Sequence, residues 1–288
     1  MRDLNWEMKQ LCEENVDGSY ATQDGRAHTL ASFATVMHDK GLTRLTLRGI
    51  KPNHIEAFVA NCQGRGLADS TMKTVMSHIR WMAEKIGKPN IVARTNDAYG
   101  IADRVYVTNE SKARELTADE LGKVTNPYCA MSLQLQAAFG LRREESLKIR
   151  PGQADRGDVL VLRASWCKGG RAREIPIRTE QQRQLLDKAK ALANGGSLIP
   201  VDLSYKAHLR QFRTQCDRAG IRKAHGHRHQ YAQRRYRELT GWACPVCGGP
   251  TAKQLRAEQK RIDKKARLMI SAELGHGRDA IVAVYIGR

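Results

Sequence analysis

The chain has 288 residues, enough for two domains of ordinary size, and 41 % of them are hydrophobic, enough for true cores. No stretch approaches the roughly 20 consecutive apolar residues that a membrane-spanning helix needs, and the N-terminus lacks the apolar run of a secretory signal. Seven cysteines, mostly isolated, do not have the spacing of a disulfide framework, which favours a reducing, cytoplasmic setting.

The charge is unevenly distributed along the chain. The formal net charge is +19; residues 1–108 hold 14 Lys/Arg against 12 Asp/Glu, whereas residues 109–288 hold 35 against 18. A strongly positive half favours a polyanionic partner, and nucleic acid is the commonest one. A solvated basic face is the alternative that charge alone leaves open.

The first hundred residues predict a small helical domain. The clearest helix covers residues 70–86, where apolar residues recur at helical spacing, with Asp69 or Ser70 as its cap and Gly87 beyond its end. Two further helices are predicted over residues 29–39 and 53–62. The polar face of the clearest helix carries three candidate DNA contacts: Lys73, Ser77 and Arg80.

A domain boundary is predicted near residue 108. From about residue 90 the helical period disappears and polar residues and glycine punctuate the chain, which is typical of a linker. Thr117 and Glu120 then have the spacing of a capping box, which predicts a new helix. We therefore expect a helical domain over 1–108, with its linker from about 90, and a second domain over 109–288.

The second domain begins with helical patterns and then changes period. Two short apolar runs, Val159–Leu162 and Glu174–Ile177, flank the segment Lys168-Gly-Gly-Arg171. Two glycines between such runs predict a β-hairpin with positive φ at its tip. Helical patterns resume from Gln181, so the chain is predicted to be mostly α with one small β-hairpin.

Four segments of the second domain are rich in groups that bind or attack a phosphate. They are Gly140-Leu-Arg142-Arg-Glu-Glu145, the hairpin lysine Lys168, His225-Gly-His-Arg228-His229, and Leu274-Gly-His276 nine residues before Tyr285. Taken singly, each has an ordinary structural explanation, such as a surface arginine, a turn lysine, a core histidine or a half-buried tyrosine. Their order and local spacing, taken together, are specific.

In that order and spacing the chain resembles the tyrosine recombinase (phage integrase) family, over the whole second half and more loosely over the first. The family's boxes Gly-Leu-Arg-x-x-Glu, His-x-x-Arg-His and Leu-Gly-His match three of these segments, and Lys168 with Arg173 and Pro176 matches the hairpin pattern. The resemblance implies a helical core-binding domain and a mixed α/β catalytic domain that close on DNA as a C-shaped clamp.

The resemblance implies a site-specific recombinase that cleaves and rejoins DNA through a 3′-phosphotyrosine at Tyr285, without metal, ATP or other cofactor. Two arginines suit the non-bridging phosphate oxygens because a planar guanidinium donates two parallel hydrogen bonds. The expected roles are phosphate binding by Arg142 and Arg228, general acid catalysis by Lys168, acceptance of the tyrosine proton by His225, a phosphate hydrogen bond from His276, and orientation by Glu145.

The expected partners are double-stranded attachment sites, on which the chain forms a dimer and, in the synapse, a tetramer. Accessory DNA-bending or directionality proteins are candidate partners; no membrane is expected, and the expected location is the bacterial cytoplasm at the nucleoid. Integration or excision of a mobile element is favoured over resolution of chromosome dimers, because the chain has an insertion at about 240–268.

That insertion is the main departure from the family pattern. Cys244-x-x-Cys247 looks like half of a zinc knuckle, but no second pair lies nearby, so a turn with two thiols is favoured and no metal is expected. A basic helix is predicted over residues 253–267, with Lys260 and Lys264 as candidate DNA contacts. Only three residues follow Tyr285, so a helix that docks into a neighbouring subunit is replaced by another element or lies beyond this sequence.

Three other functions remain open at this stage. The first is a sequence-specific DNA-binding protein that uses the fold without cutting, although six intact catalytic residues argue against it. The second is a metal-dependent hydrolase built on His225, His227 and His229, which lacks a carboxylate cluster. The third is a type IB topoisomerase, which shares the chemistry but needs neither paired sites nor four subunits.

Overall fold

Four helices form the N-terminal unit, Met1–Val105, in the computed structural model, which describes residues 3–276 and 278–288. Their apolar faces share one core, in which Phe33 and Phe58 meet edge to face with ring centroids 5.1 Å apart. The helices are α1 (Leu4–Glu14), α2 (Tyr20–Asp39), α3 (Pro52–Gly64) and α4 (Asp69–Lys85).

Two of these helices begin where the sequence did not predict. The N-cap of α4 is Ala68, so the prediction of Asp69 or Ser70 is wrong; Asp69 lies in the first turn, where its carboxylate faces the positive end of the helix dipole. Helix α2 begins nine residues before the predicted residue 29, since Ser19 caps it by accepting a hydrogen bond from the Thr22 backbone.

The segment after residue 90 lies against this first core. Two short 3₁₀ turns, Pro89–Ile91 and Asp97–Tyr99, interrupt it. Ile91, Val92 and Ile101 are buried among the side chains of the four helices. The segment therefore packs on the N-terminal unit for much of its length.

The second unit, Tyr106–Arg288, is also mostly helical. The predicted capping box is confirmed: the Thr117 hydroxyl accepts from the Glu120 backbone at 3.1 Å, and the Glu120 carboxylate accepts from the Thr117 backbone at 3.3 Å. The helices are α5 (Ala118–Gly122), α6 (Pro127–Phe139), α7 (Arg143–Lys148), α8 (Pro151–Ala154), α9 (Glu180–Ala193), α10 (Tyr205–Arg218), α11 (Gly226–Thr240), α12 (Ala257–Leu274) and α13 (Ala283–Ile286). None of the described helices has the length and apolarity to span a bilayer.

The predicted hairpin is present. Strands β1 (Val159–Leu162) and β2 (Arg173–Pro176) pair antiparallel, with Leu162 opposite Arg173. Their connection carries Lys168 at its tip, followed by Gly169 and Gly170, whose φ angles are +74° and +65°. The mostly helical fold with a small two-stranded sheet is confirmed.

The predicted insertion is a turn followed by most of one long helix. The turn contains a 3₁₀ segment, Pro245–Cys247. The basic helix predicted over 253–267 instead begins at Ala257 and continues to Leu274, so its bounds were wrong. Buried apolar residues continue through this helix to Ile270 and Leu274, so the basic segment and the first residue of the Leu274-Gly-His276 box lie on one helix.

Candidate active site

Tyr285 lies in α13 with its ring enclosed by histidines and only 7 % of its surface exposed. The ring of His276 stacks on it at 5.2 Å between centroids, and the ring of His229 lies at 4.5 Å. The Tyr285 hydroxyl is 3.3 Å from Arg228 Nε and 3.4 Å from His225 Nε2. The hydroxyl therefore lies between a guanidinium, which stabilises negative oxygen, and an imidazole, which can accept a proton.

Arg228 is 1 % exposed, and its guanidinium joins three of the four predicted segments. It donates to the Gly140 carbonyl at 2.5 Å and to the Leu274 carbonyl, and it lies 3.2 Å from His276 Nε2. Burial lowers the pKa of Arg228 to about 10, against the opposite effect of the Tyr285 oxygen, so the group stays charged at neutral pH. These contacts fix the plane of a positive charge beside the tyrosine.

Gly140 ends α6 in the left-handed conformation, at φ +62°. A β-carbon there would come within 2.6 Å of the Tyr231 ring, so only glycine fits without rearrangement. This turn points the Gly140 carbonyl at Arg228. The chain then continues to Arg142, the N-cap residue of α7. The glycine of the first predicted segment thus positions both arginines.

Glu145 is fully buried and holds two arginines. Arg173 donates to both of its carboxylate oxygens, at 2.9 and 2.6 Å, and Arg142 Nη1 donates at 2.8 Å. Burial alone would raise the pKa of Glu145, but the hydrogen bonds from Arg173 and Arg142 outweigh it and bring the pKa to about 2. Arg173 also donates to the Glu273 carbonyl at 2.8 Å, which ties β2 to the end of α12.

The histidines around the tyrosine are held neutral. Burial, helped by Arg228 and Arg142, lowers the pKa of His276 to about 3 and lowers that of His225 from its ordinary value. Burial and the neighbouring His225 lower the pKa of His229 to about 4. At neutral pH His225 is therefore available as a proton acceptor.

A groove with a volume of about 640 Å³ opens beside these residues. Its lining includes Arg142, His225 and the exposed hairpin residue Lys168. Glu144 and Asp217 contribute negative charge, but basic residues outnumber them, because three more line the same groove: Arg143, Arg213 and Lys223. Such a lining favours the binding of a polyanion.

The three clustered histidines do not share one ligand position. His225 and His229 face Tyr285, whereas His227 Nδ1 is 2.9 Å from the Arg114 carbonyl. Among residues 3–276 and 278–288 no group of three or more His, Cys, Asp or Glu could hold a metal ion. This arrangement does not support a metal-dependent hydrolase.

The candidate DNA contacts of the first unit are partly engaged with their own unit. Lys73 Nζ is 2.5 Å from the carboxylate of Asp103, and Arg80 donates to the Asn96 side chain at 2.8 Å. Ser77 is exposed. To contact DNA, Lys73 or Arg80 must therefore either bind a phosphate in addition to its present partner or give that partner up.

The two candidate contacts of α12, Lys260 and Lys264, are both exposed. The cysteines Cys244 and Cys247 lie in the preceding turn, the first buried and the second exposed. Cys247 Sγ donates to the Gln233 side-chain oxygen at 3.1 Å.

Sequence reasoning missed a buried polar network behind the site. Glu273 is 4 % exposed and accepts hydrogen bonds from Tyr231 at 2.6 Å and from Arg235 at 2.9 Å. Arg178 lies 3.8 Å from the same carboxylate. Glu273 directly precedes the Leu274-Gly-His276 box. An acidic residue among the apolar residues of that helix face could have indicated a buried polar contact.

Two family models match the chain. A family model for the N-terminal part of phage integrase matches residues 1–92, and a model for integrase matches residues 105–234. The second match includes Arg142, Lys168, His225 and Arg228 and ends before Tyr285. No curated protein matches the chain closely enough to add to this comparison.

Solved structures share the fold. A lambda integrase dimer bound to a COC′ core site has a TM-score of 0.62 at 16 % identity, over 96 % of this chain and 76 % of the other. The XerH site-specific recombinase bound to palindromic difH substrate has a TM-score of 0.59 at 15 % identity, over 98 % and 80 %. The Tn1549 transposon integrase with transposon right end DNA has 0.55 at 12 % identity, over 100 % and 95 %.

The fold is that of the recombinases just compared. The two family models jointly span most of the chain, which belongs to the phage integrase, or tyrosine recombinase, family. It is thus a site-specific DNA recombinase.

Proposed function

We propose that Tyr285 is the nucleophile of this recombinase and forms a 3′-phosphotyrosine with one DNA strand. The observation that carries the proposal is the position of its hydroxyl, 3.3 Å from Arg228 Nε and 3.4 Å from His225 Nε2. The oxygen attacks phosphorus, the bond to the 5′-oxygen breaks, and the tyrosine proton passes to His225. The phosphodiester energy is retained in the phosphotyrosine, so rejoining needs no ATP.

Arg142 and Arg228 bind the non-bridging oxygens of the scissile phosphate. Their charges offset the charge that accumulates on phosphorus in the transition state. Arg142 reaches the groove while Glu145 holds one side of its guanidinium, and His276 donates a further hydrogen bond. Two fixed guanidinium groups perform the neutralisation that a metal ion performs in many phosphoryl transfers, so the reaction proceeds without metal.

Lys168 protonates the leaving 5′-oxygen. It is exposed at the tip of the hairpin and lines the same groove as Arg142 and His225. A lysine suits this role because its ammonium is a compact donor on a flexible stem. The hairpin can therefore bring the acid to the phosphate after the duplex has bound.

The substrate is a pair of double-stranded attachment sites, and the chain acts as a dimer on each site and as a tetramer in the synapse. The N-terminal unit and the second unit both bind the duplex. Integration or excision of a mobile element is the biological reaction, with accessory DNA-bending or directionality proteins as further partners. The structurally similar lambda integrase forms a tetramer on a Holliday junction, which supports the assembly.

The test is a suicide DNA substrate, nicked near the crossover position of the element's own attachment site, incubated in the presence of EDTA. The native chain is expected to form a covalent adduct that survives a denaturing gel. Tyr285→Phe, which removes only the nucleophilic oxygen, is expected to form none while it keeps DNA binding. Tight binding by the native chain without any adduct would favour a DNA-binding protein that does not cut.

The same gel distinguishes the roles of the other residues. Arg228→Lys and Lys168→Ala are expected to lower the rate of adduct formation by roughly a hundredfold or more, because each loses a group that acts in the transition state. Lys253→Ala, in an exposed position before α12, is the matched control and is expected to retain the native rate.

A further inference from the structure

The turn between α11 and α12 carries two thiols that the proposed chemistry does not use. The Cys247 backbone donates to the Cys244 carbonyl at 2.8 Å, which closes a four-residue turn. Such a turn brings its first and last Cα atoms within about 7 Å, inside or close to the range of about 4.4–6.8 Å that a disulfide spans.

The turn has one tightly defined backbone path. The Gly249 backbone also donates to the Cys244 carbonyl, at 3.0 Å. A β-carbon on Gly249 would lie 1.6 Å from the Ala243 carbonyl oxygen, so only glycine allows this close approach. The chain therefore holds the backbones of the two cysteines close together before any reaction, so a disulfide requires little rearrangement of the backbone.

The two thiols differ in access. Cys244 is 1 % exposed, whereas Cys247 is exposed to solvent. Burial and the neighbouring Cys247 raise the pKa of Cys244 to about 12, so its thiolate is scarce at neutral pH. An attacking reagent therefore meets Cys247 first, and Cys244 can only complete the reaction from inside the turn.

Cys247 is connected to the segment of the proposed nucleophile by two hydrogen bonds. Its Sγ donates to the Gln233 side-chain oxygen at 3.1 Å, and Gln233 Nε2 donates to the Tyr285 carbonyl, also at 3.1 Å. Helix α13 packs against the turn, and Val246 lies against the core that contains Tyr285 and Ile286. A change of the turn thus reaches α13 both through packing and through Gln233.

We propose that Cys244 and Cys247 form a thiol–disulfide modification site that reacts with small disulfides and, once oxidised, loosens the segment that carries Tyr285. Its effect on recombination rests on the proposed role of Tyr285. The Cys247 thiolate attacks the small disulfide, whose S–S bond breaks, and one thiolate leaves. The Cys244 thiolate then attacks the mixed disulfide at Cys247 and releases the second thiolate.

The reaction balances and has a structural consequence. Two protein thiols are oxidised to one disulfide, one small disulfide is reduced to two thiols, and the two protons go to the departing thiolates. The oxidised Cys247 has no S–H to donate, so the Gln233 oxygen keeps only the Ser111 hydroxyl, at 3.2 Å, as a donor. The amide that donates to the Tyr285 carbonyl is then held by one hydrogen bond fewer.

The experiment treats the full chain with oxidised glutathione and measures three quantities. Thiol alkylation with mass spectrometry reports the disulfide, amide hydrogen exchange reports residues 283–288, and the suicide substrate reports the rate of adduct formation. We expect a Cys244–Cys247 disulfide, faster exchange in 283–288, and a rate lowered roughly fivefold or more. Dithiothreitol is expected to reverse all three.

Two variants serve as controls. Cys247→Ser keeps a donor for Gln233 and is expected to form adduct at the native rate with or without oxidised glutathione. Cys12→Ser removes the only other thiol that is not buried among the described residues, and it is expected to respond as the native chain does.

Three results would overturn the inference. They are the absence of a disulfide after treatment, a disulfide that leaves hydrogen exchange in 283–288 unchanged, and zinc held by the reduced thiols tightly enough to block oxidation. If the reduced chain forms no adduct at all, the proposed role of Tyr285 fails, but alkylation and hydrogen exchange still decide whether the modification site exists.

Discussion

Single residues in the site have pKa values that differ from those in the unfolded chain. His229 is the clearest case, because it is 4 % exposed and its pKa falls from 6.5 to about 4 through burial and the neighbouring His225. Glu145 is the opposite case, since Arg173 and Arg142 keep its carboxylate charged despite full burial. Both groups make stability depend on pH, and both lose their contribution as the pH falls.

The pH dependence of His229 is the first prediction at this scale. Between about pH 6.5 and pH 4 the unfolded chain protonates this histidine and the folded chain does not, so acid favours unfolding. The loss is about 1.4 kcal/mol per pH unit, or roughly 3 kcal/mol over the whole window. His229→Gln is expected to remove this part of the acid-induced loss, as measured by urea denaturation at several pH values.

The control is His28→Gln, in an exposed position of α2, which is expected to leave the pH profile unchanged. A His229→Gln profile that runs parallel to the native one would show that His229 is not held neutral in the folded chain.

At the scale of secondary structure, one arginine connects three elements. Arg173 in β2 binds both carboxylate oxygens of Glu145 in α7 and the carbonyl of Glu273 near the end of α12. It thereby fixes the base of the Lys168 hairpin relative to the residues that hold the proposed phosphate-binding groups. The pair is fully desolvated, so the loss of one partner leaves a buried charge.

Arg173→Met is therefore expected to lower the free energy of unfolding by about 3–5 kcal/mol, which chemical denaturation measures directly. Arg171→Met, two residues earlier and exposed, is the matched control and is expected to change it by less than about 0.5 kcal/mol. Equal stability of the two variants would contradict the role of the buried pair.

The elements that the sequence predicted well are those with local signals. The capping box at Thr117 and the hairpin around Lys168 depend on residues within a few positions of one another, and both are present. The start of α2 was missed because Gly25 and a polar stretch obscure its apolar period.

The hydrogen bonds around Glu273 could not be predicted from the sequence, for a different reason. Its partners Tyr231 and Arg235 are separated from it by 42 and 38 residues, and only the packing of α11 against α12 brings them together. The order of the four segments predicted which residues form the candidate site, whereas the distances between their side chains could be known only from the folded chain.

At the scale of the whole molecule, the uneven charge predicts how DNA is bound. Residues 109–288 carry most of the net charge of +19, and each phosphate that they neutralise releases condensed counterions. Affinity for duplex DNA is therefore expected to fall by a factor of about 10³ or more between roughly 50 and 200 mM salt. Fluorescence anisotropy at several salt concentrations measures the slope, and a shallow slope would contradict dominance by phosphate contacts.

The same slope tests the exposed lysines of α12. Lys260→Gln and Lys264→Gln are each expected to reduce it by about one unit, without a change in sequence preference. Lys9→Gln, an exposed lysine of α1, is the control and is expected to leave the slope unchanged.

The contact between Arg228 and the Tyr285 hydroxyl has a chemical consequence for the chain before it meets DNA. The hydroxyl that we propose as the nucleophile already accepts a hydrogen bond from Arg228, and two imidazole rings cover the phenol. Phenol-directed reagents should consequently label Tyr20, which is 90 % exposed, long before they reach Tyr285. The phenol is thus shielded in the chain without DNA, and we expect a polyanion that competes for Arg228 to expose it.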